Sequence, residues 1–176
     1  RVKKLIKNID QNKKISKKKF KKVKKNILIT SNANKISHAN VYIIAVPTPI
    51  QNNKKPDLKY IKSASINVAK KLNKGDIIVY ESTVYPGLTN SFCLNLLEKY
   101  SGLKAEKDFY IGYSPERINP GDIKHRIDNT DKIISANSNK VLKYLKYLYS
   151  SVIKAKMHVA PTIEAAEAAK IIENTQ

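Results

Sequence analysis

From Asn26 onward, short apolar runs alternate with stretches of helical period, the pattern of βαβ units and of a parallel sheet covered on both faces. Ile27-Leu28-Ile29 is the first run. Val41 to Val46 is the second, and it contains no polar residue, as expected of a strand buried on both faces. It stops at Pro47. Asp57 then precedes Leu58, Ile61, Ala64, Val68 and Leu72 at spacings of three and four, which predicts an amphipathic helix with an acidic cap and a stop at Gly75. Ile77-Ile78-Val79-Tyr80 reads as the next strand. After the turn at Pro86-Gly87, a helix carries Leu88, Phe92, Leu96, Leu97 and Tyr100, and Ser101-Gly102 closes it. Phe109 to Tyr113 and Lys132 to Ser135 read as short strands, separated by a polar stretch rich in Pro, Gly and Asp. A helix from Lys140 to Val152 follows, with Val141, Leu145 and Leu148 on one face. Met157 to Ala160 is a last strand, and Thr162 to Gln176 reads as a helix still running at the final residue. The expected class is α/β, with a doubly wound parallel sheet.

Composition supports a folded domain. The chain has 176 residues, 41% hydrophobic and 27% charged, far from disordered or fibrous classes. Its one cysteine, Cys93, cannot form an intrachain disulfide, and it sits beside Phe92 with no base nearby, as a small buried hydrophobe would. The longest apolar run falls far short of the ~20 residues a bilayer crossing needs. The expectation is a soluble cytoplasmic protein with no membrane insertion.

Charge changes the picture less than its size suggests. The 34 basic and 14 acidic residues give +20, but only three of the basic residues are arginine, whereas Asn occurs 17 times. Arginine is the side chain shaped for bidentate phosphate and base contacts, so the excess reads as lysine-coated surface. Residues 1 to 25 concentrate it, with 13 basic residues and one acid. Leu5, Ile9, Ile15, Phe20 and Val23 give that stretch sparse apolar anchors, as in a solvated helical face, and no nucleic-acid partner is expected.

In an open parallel sheet the ligand lies outside the carboxyl ends of the strands. Three such ends are unusual here. Pro47-Thr48-Pro49 follows Val46, a stiff turn with a single hydroxyl. Glu81-Ser82-Thr83-Val84-Tyr85-Pro86-Gly87 follows Tyr80, and Ser114-Pro115-Glu116-Arg117-Ile118-Asn119-Pro120-Gly121 follows Tyr113. Each alone could be a plain turn, but together on one edge they suggest a pocket. On the last helix Lys170 and Asn174 are four residues apart, so they share a face at a separation of ~6 Å along the axis. They could meet a developing oxyanion, or Lys170 could pair with Glu167 or Glu173. His38, His125 and His158 have no metal-ligand spacing, and no metal site is expected. The five glycines contain no G-x-G-x-x-G.

These residues resemble those of the UDP-glucose/GDP-mannose dehydrogenase family, the nucleotide-sugar dehydrogenases that oxidise C6. The resemblance rests on V-P-T-P at 46–49, P-D-L at 56–58, E-S-T-V-Y-P-G at 81–87 and S-G-L-K at 101–104. S-P-E-R-I-N-P-G-D at 114–122 and A-E-A-A-K-I-I-E-N-T-Q at 166–176 complete it. Within the family the sequence looks most like the branch acting on UDP-N-acetylhexosamines for capsular polysaccharide of the Vi-antigen type.

That resemblance implies a Rossmann-like NAD-binding domain at 1–160, lacking its first βα unit, and the start of a central connecting helix at 161–176. It implies oxidation of alcohol through aldehyde and thioester to carboxylate, with two NAD molecules used in turn. By similarity Val46, Pro47, Thr48, Ser82 and Thr83 would line the cofactor, with Thr83 also near the reacting centre. Glu116 would orient or deprotonate the hydrolytic water. Arg117 and Ile118 would contact the UDP-sugar, and Lys170 and Asn174 would donate to the C6 oxygen. The family's glycine-rich turn and ribose-binding acid would precede Arg1; its nucleophilic cysteine and uridine-binding domain would follow Gln176. The chain is therefore expected to be a fragment that alone neither binds NAD tightly nor turns over, from a parent that dimerises through the helix beginning near Thr162. Two alternatives stand beside this: a 3-hydroxyacid or 6-phosphogluconate type of dehydrogenase, which also places Lys and Asn four apart on a helix, and a non-enzymatic nucleic-acid-binding module built on the basic segment.

Overall fold

The computed structural model describes residues 2–10, 15–117 and 129–175. The chain divides into two compact units, Arg1–His38 and Ala39–Gln176.

In the first unit the basic stretch forms two short helices, α1 (Val2–Ile6) and α2 (Lys17–Val23), rather than one continuous face. Ser16 caps α2, its Oγ accepting from the Lys19 amide at 3.3 Å. Phe20 is buried, while Ile9, Ile15 and Val23 are exposed, so the expected apolar anchoring falls mainly on one residue. Ile27-Leu28-Ile29 is not a strand. Among the described residues it pairs with no other strand, and Ile27 and Leu28 are exposed. An apolar run becomes a strand only where a neighbour takes its backbone hydrogen bonds.

The second unit is a five-stranded sheet in the order β1 (Val41–Ile44), β2 (Ile77–Tyr80), β3 (Tyr110–Tyr113), β4 (Lys132–Ala136) and β5 (Met157–Val159). Helices α3 (Lys59–Ala69) and α4 (Leu94–Ser101) make the parallel crossovers β1–β2 and β2–β3, and α5 (Asn139–Ser150) joins the parallel pair β4–β5. β1 is shorter than its apolar run because Pro47 and Pro49 follow and the Val46 amide is taken by a side chain. The N-cap of α3 is Leu58 rather than Asp57, although Asp57 Oδ1 accepts from the Lys59 amide at 2.9 Å just ahead of it, and α3 ends at Ala69, before Gly75. A π-helical turn, Thr89–Cys93, leads into α4, which closes on Gly102 at a φ of 73°, a left-handed conformation that glycine adopts without steric cost.

β2 is covered on both faces. Ile77 and Val79 pack with Ile134 of β4 and with Val141, Leu145 and Tyr149 of α5. Toward α3, Tyr80 exchanges a 2.8 Å hydrogen bond with Ser65. The last helix, α6 (Ile163–Thr175), packs on β3, β4 and the π-helical turn. Its first turn is capped by Thr162, whose Oγ1 accepts from the Ala165 amide at 3.1 Å.

One strand departs from the expected parallel sheet: β4 runs antiparallel to β3, with Tyr113 opposite Ser135. A parallel return needs a crossover of a dozen or more residues, normally a helix, and the sequence between β3 and β4 carries no helical period. Within β3, Gly112 lies against α5 and β4. A Cβ there would come within 2.6 Å of Leu145 Cδ1 and 3.0 Å of the Ser135 carbonyl oxygen. Among the described residues, no helix is long and apolar enough to cross a membrane.

Candidate active site

The three parallel strands end on one edge at Ile44, Tyr80 and Tyr113. The ladder runs one residue further, with the Glu81 amide donating to Ile44 O and the Ser114 amide to Tyr80 O, both at 2.9 Å. Beyond it, side chains tie the turns together. Ser82 Oγ accepts from the Val46 amide at 3.0 Å and donates to the Val46 carbonyl at 2.7 Å. Thr48 Oγ1 donates to the Thr83 carbonyl at 2.6 Å. The result is an open cleft lined by residues 45–48, residues 81–83 and Glu116. Six of the expected site residues, Val46, Pro47, Thr48, Ser82, Thr83 and Glu116, thus meet in one place. Their hydroxyls differ in availability: Ser82 is buried and engaged as a brace, whereas Thr83 is exposed.

The remaining expected residues lie beside this cleft. Arg117 donates from Nε to Glu173 Oε1 on α6 at 2.6 Å, pairs with the same oxygen through a terminal nitrogen, and donates to the Asp131 carbonyl at 3.2 Å. Lys170 is buried and lies 3.6 Å from Glu173 Oε2. Of the two partners open to Lys170 in the sequence, the structure selects Glu173. Lys170 does not line the cleft with Thr83; it is linked toward it through Glu173 and Arg117, the neighbour of Glu116. Burial raises the pKa of the Glu173 carboxyl, but Arg117 and Lys170 outweigh it and hold the group below its usual range. Asn174 is on α6, one turn past Lys170, and Ile118 lies outside the described residues.

Glu167 does other work. Fully buried, its Oε2 accepts from the Gly87 amide at 2.6 Å and its Oε1 from the Thr89 amide at 3.0 Å. Glu164 joins it, its Oε1 accepting from Asn90 Nδ2 at 2.5 Å. Together they clamp α6 to the amides and amide side chain at the start of the π-helical turn. No spacing rule signals this, because the partners are 74 to 80 residues apart.

A second feature was equally hidden. Lys132 is buried at the start of β4, where Nζ donates to the carbonyls of Ser114 and Pro115 and lies 3.3 Å from Glu81 Oε1. Tyr149 OH donates to the same carboxylate oxygen at 2.7 Å, and burial together with the Glu81 charge pushes the Tyr149 phenol well up. Lys132 opens a strand, whereas the residues that reach this edge in the parallel part of the sheet follow theirs. Since β4 runs antiparallel to β3, it is the first residue of β4 that reaches this edge.

Cys93 is fully buried, and burial pushes its thiol up to about 12, so it is an inert core group rather than a nucleophile. Among the described residues, no cluster of His, Cys, Asp and Glu could hold a metal ion. The donor set fits part of NAD. An exposed threonine hydroxyl and the polar backbone of residues 45–48 suit ribose hydroxyls and a carboxamide, whereas the glycine-rich cradle for the phosphates is not in this sequence.

The model of the UDP-glucose/GDP-mannose dehydrogenase family, NAD binding domain, matches residues 4–153. The chain belongs to this family. Over its whole length it is 49% identical to Protein CapL of Staphylococcus aureus, covering 41% of that protein. It is 51% identical over 147 residues, 84% of the chain, to a UDP-N-acetyl-D-glucosamine 6-dehydrogenase of Salmonella typhi, covering 35% of it. Among solved structures, a UDP-D-ManNAc dehydrogenase of Pyrococcus horikoshii superposes with a TM-score of 0.88 at 30% identity, over 99% of this chain and 42% of that one. The α/β sheet of this family member is thus the Rossmann-like fold of the dehydrogenase NAD-binding domains, and the chain spans 35% to 42% of the length of these three relatives.

Proposed function

We propose that this chain is the NAD-binding domain of a longer cytoplasmic dehydrogenase that oxidises C6 of a UDP-N-acetylhexosamine to the uronic acid for capsular or surface polysaccharide synthesis. The observation that carries the proposal is the cleft on the parallel edge, where the Val46–Thr48 turn, Thr83 and Glu116 come together. Relatives named for UDP-N-acetylglucosamine oxidation, at about half identity, favour an acetylated amino sugar over glucose.

In this proposal Val46, Pro47 and Thr48 form one wall of the cofactor site, and Ser82 fixes that wall by bridging to Val46. NAD held against this wall would supply the acceptor for the hydride released from C6. Thr83 offers its exposed hydroxyl to the reacting end. Glu116 holds and deprotonates water in the cleft, a task for a carboxylate within hydrogen-bond reach of it. Arg117, Ile118, Lys170 and Asn174 serve the substrate, with Lys170 and Asn174 donating to the C6 oxygen as negative charge grows there. Since Glu173 holds Arg117 and Lys170 in the structure described, sugar binding would redistribute those contacts. The parent is a homodimer joined through the helix that α6 begins.

The test is the full-length parent protein with NAD and either UDP-N-acetylglucosamine or UDP-N-acetylgalactosamine, followed by NADH absorbance. Sustained NADH formation with an N-acetylhexosamine, and none with UDP-glucose, is expected. Oxidation of a 3-hydroxyacid with no response to UDP-sugars would overturn the proposal. The 176-residue chain alone is expected to give no turnover, and sedimentation of the parent as a monomer would remove the dimer.

A further inference from the structure

Glu116 leaves β3 on a short segment, Ser114-Pro115-Glu116, that is held in place from behind by a buried charge. Lys132 is 4% exposed. Its Nζ donates to the Ser114 carbonyl at 3.2 Å and the Pro115 carbonyl at 3.4 Å, and it sits 3.3 Å from Glu81 Oε1 and 5.1 Å from the centre of the Tyr149 ring. An ammonium has three donors and no acceptor, so two carbonyls and a carboxylate match it in number. Pro115 has no amide, so this stretch of backbone can be fixed only through its carbonyls or its neighbours. The neighbours are fixed: the Ser114 amide and Oγ reach Tyr80 O and Ile133 O. Burying an ammonium is unfavourable unless it is paired, and an apolar side chain of the same length would fill the space without that penalty. The charge stands where strand β4 meets the segment carrying the cleft carboxylate, and Lys132 and Glu116 also share the small hollow behind it.

We propose that Lys132, anchored by Glu81, is a positioning residue for Glu116, setting the backbone that carries this carboxylate into the cleft. Lys132 does not line the cleft; it acts through the Ser114 and Pro115 carbonyls. The inference rests on the cleft being a dehydrogenase active site.

The experiment uses the full-length parent as wild type, Lys132→Met, Lys132→Arg and the double variant Lys132→Met/Glu81→Gln. Wild-type turnover of a UDP-N-acetylhexosamine is measured first, and its absence would remove the active-site assignment and this inference with it. Given turnover, Lys132→Met is expected to lower kcat about 30-fold with KM for NAD and for the sugar within about threefold, the signature of misplacement rather than lost binding. Lys132→Arg keeps the charge and donors and returns kcat to within about fivefold of wild type. The double variant, freed of the buried charge, folds with wild-type circular dichroism and stays as slow as the single one. In both methionine variants, amide hydrogen exchange at Glu116 and Arg117 speeds about tenfold while residues 77–80 keep their protection. A double variant that regains wild-type kcat would reduce Lys132 to a counter-charge for Glu81. Failure of both methionine variants to fold, or unchanged exchange at 116 and 117, would equally overturn the positioning role.

Discussion

Where β1 and β2 end, the turns are joined by hydroxyls and backbone: Ser82 to Val46, and Thr48 to Thr83. Where α6 docks, the joints are carboxylates: Glu167 on the Gly87 and Thr89 amides, Glu164 on Asn90, and Glu173 on Arg117 and Lys170. Both sets of joints bring distant stretches of chain together, but those between the two turns use no titratable side chain, whereas every joint at α6 does. The Val46–Ser82 and Thr48–Thr83 joints are therefore indifferent to pH and salt, while the attachment of the helix carrying Lys170 responds to both.

The sharpest way to break this contrast is Glu167→Ala. It strands two amides, and at 1–3 kcal/mol for each donor left unpaired the loss is roughly 4 kcal/mol, read from urea unfolding. A loss below about 1 kcal/mol would mean that water replaces the carboxylate and that the clamp is not structural. Ser82→Ala should cost less, about 2 kcal/mol, for one hydroxyl serving two backbone groups, and by the same amount at pH 5 and pH 8. Its neighbour gives the opposite signature. Thr83→Ala should leave stability within about 0.5 kcal/mol, as an exposed side chain would, and lower turnover of the full-length parent about tenfold, the effect of one lost catalytic hydrogen bond. If the two variants behave alike, the proposed division between a bracing Ser82 and a reacting Thr83 fails.

The smallest effect is expected from acid. Hydrogen bonds from its own amide and from Asn90 hold the Glu164 carboxyl below its usual range, and Arg117 and Lys170 outweigh burial to do the same for Glu173. A carboxyl lowered in the folded state adds stability that is complete above its unfolded pKa, here 4.5, and is lost as pH falls through the folded value. Exchange protection of α6 should therefore weaken below that pH while β1 to β3 keep theirs. Simultaneous loss would show that the helix and sheet open as one unit.

Much of the sheet was legible in the sequence because apolar runs and helical periods are local. The run at Val41 and the helical period that follows Asp57 need only their neighbours to be read. Ile27-Leu28-Ile29 failed because a strand also requires a partner. The direction of β4 was not local either, and with it went Lys132, whose place against the Ser114 and Pro115 carbonyls follows from that reversal. For the site, the motifs found the cleft residues but not their division of labour. Ser82 and Thr83 are adjacent hydroxyls in the sequence, and only the Val46 contacts distinguish them. Glu167 and Glu173 were interchangeable partners for Lys170 until packing turned one toward amides and the other toward cations.

Gly112 has a consequence for how this domain can vary. With Leu145 Cδ1 2.6 Å and a main-chain oxygen 3.0 Å from where a methyl would stand, even alanine must displace a core leucine or part β3 from β4. Since β4 begins with Lys132, that wedge would be felt at the cleft. A library randomised at position 112 should thus favour glycine, and a smaller residue at 145 should widen what position 112 accepts.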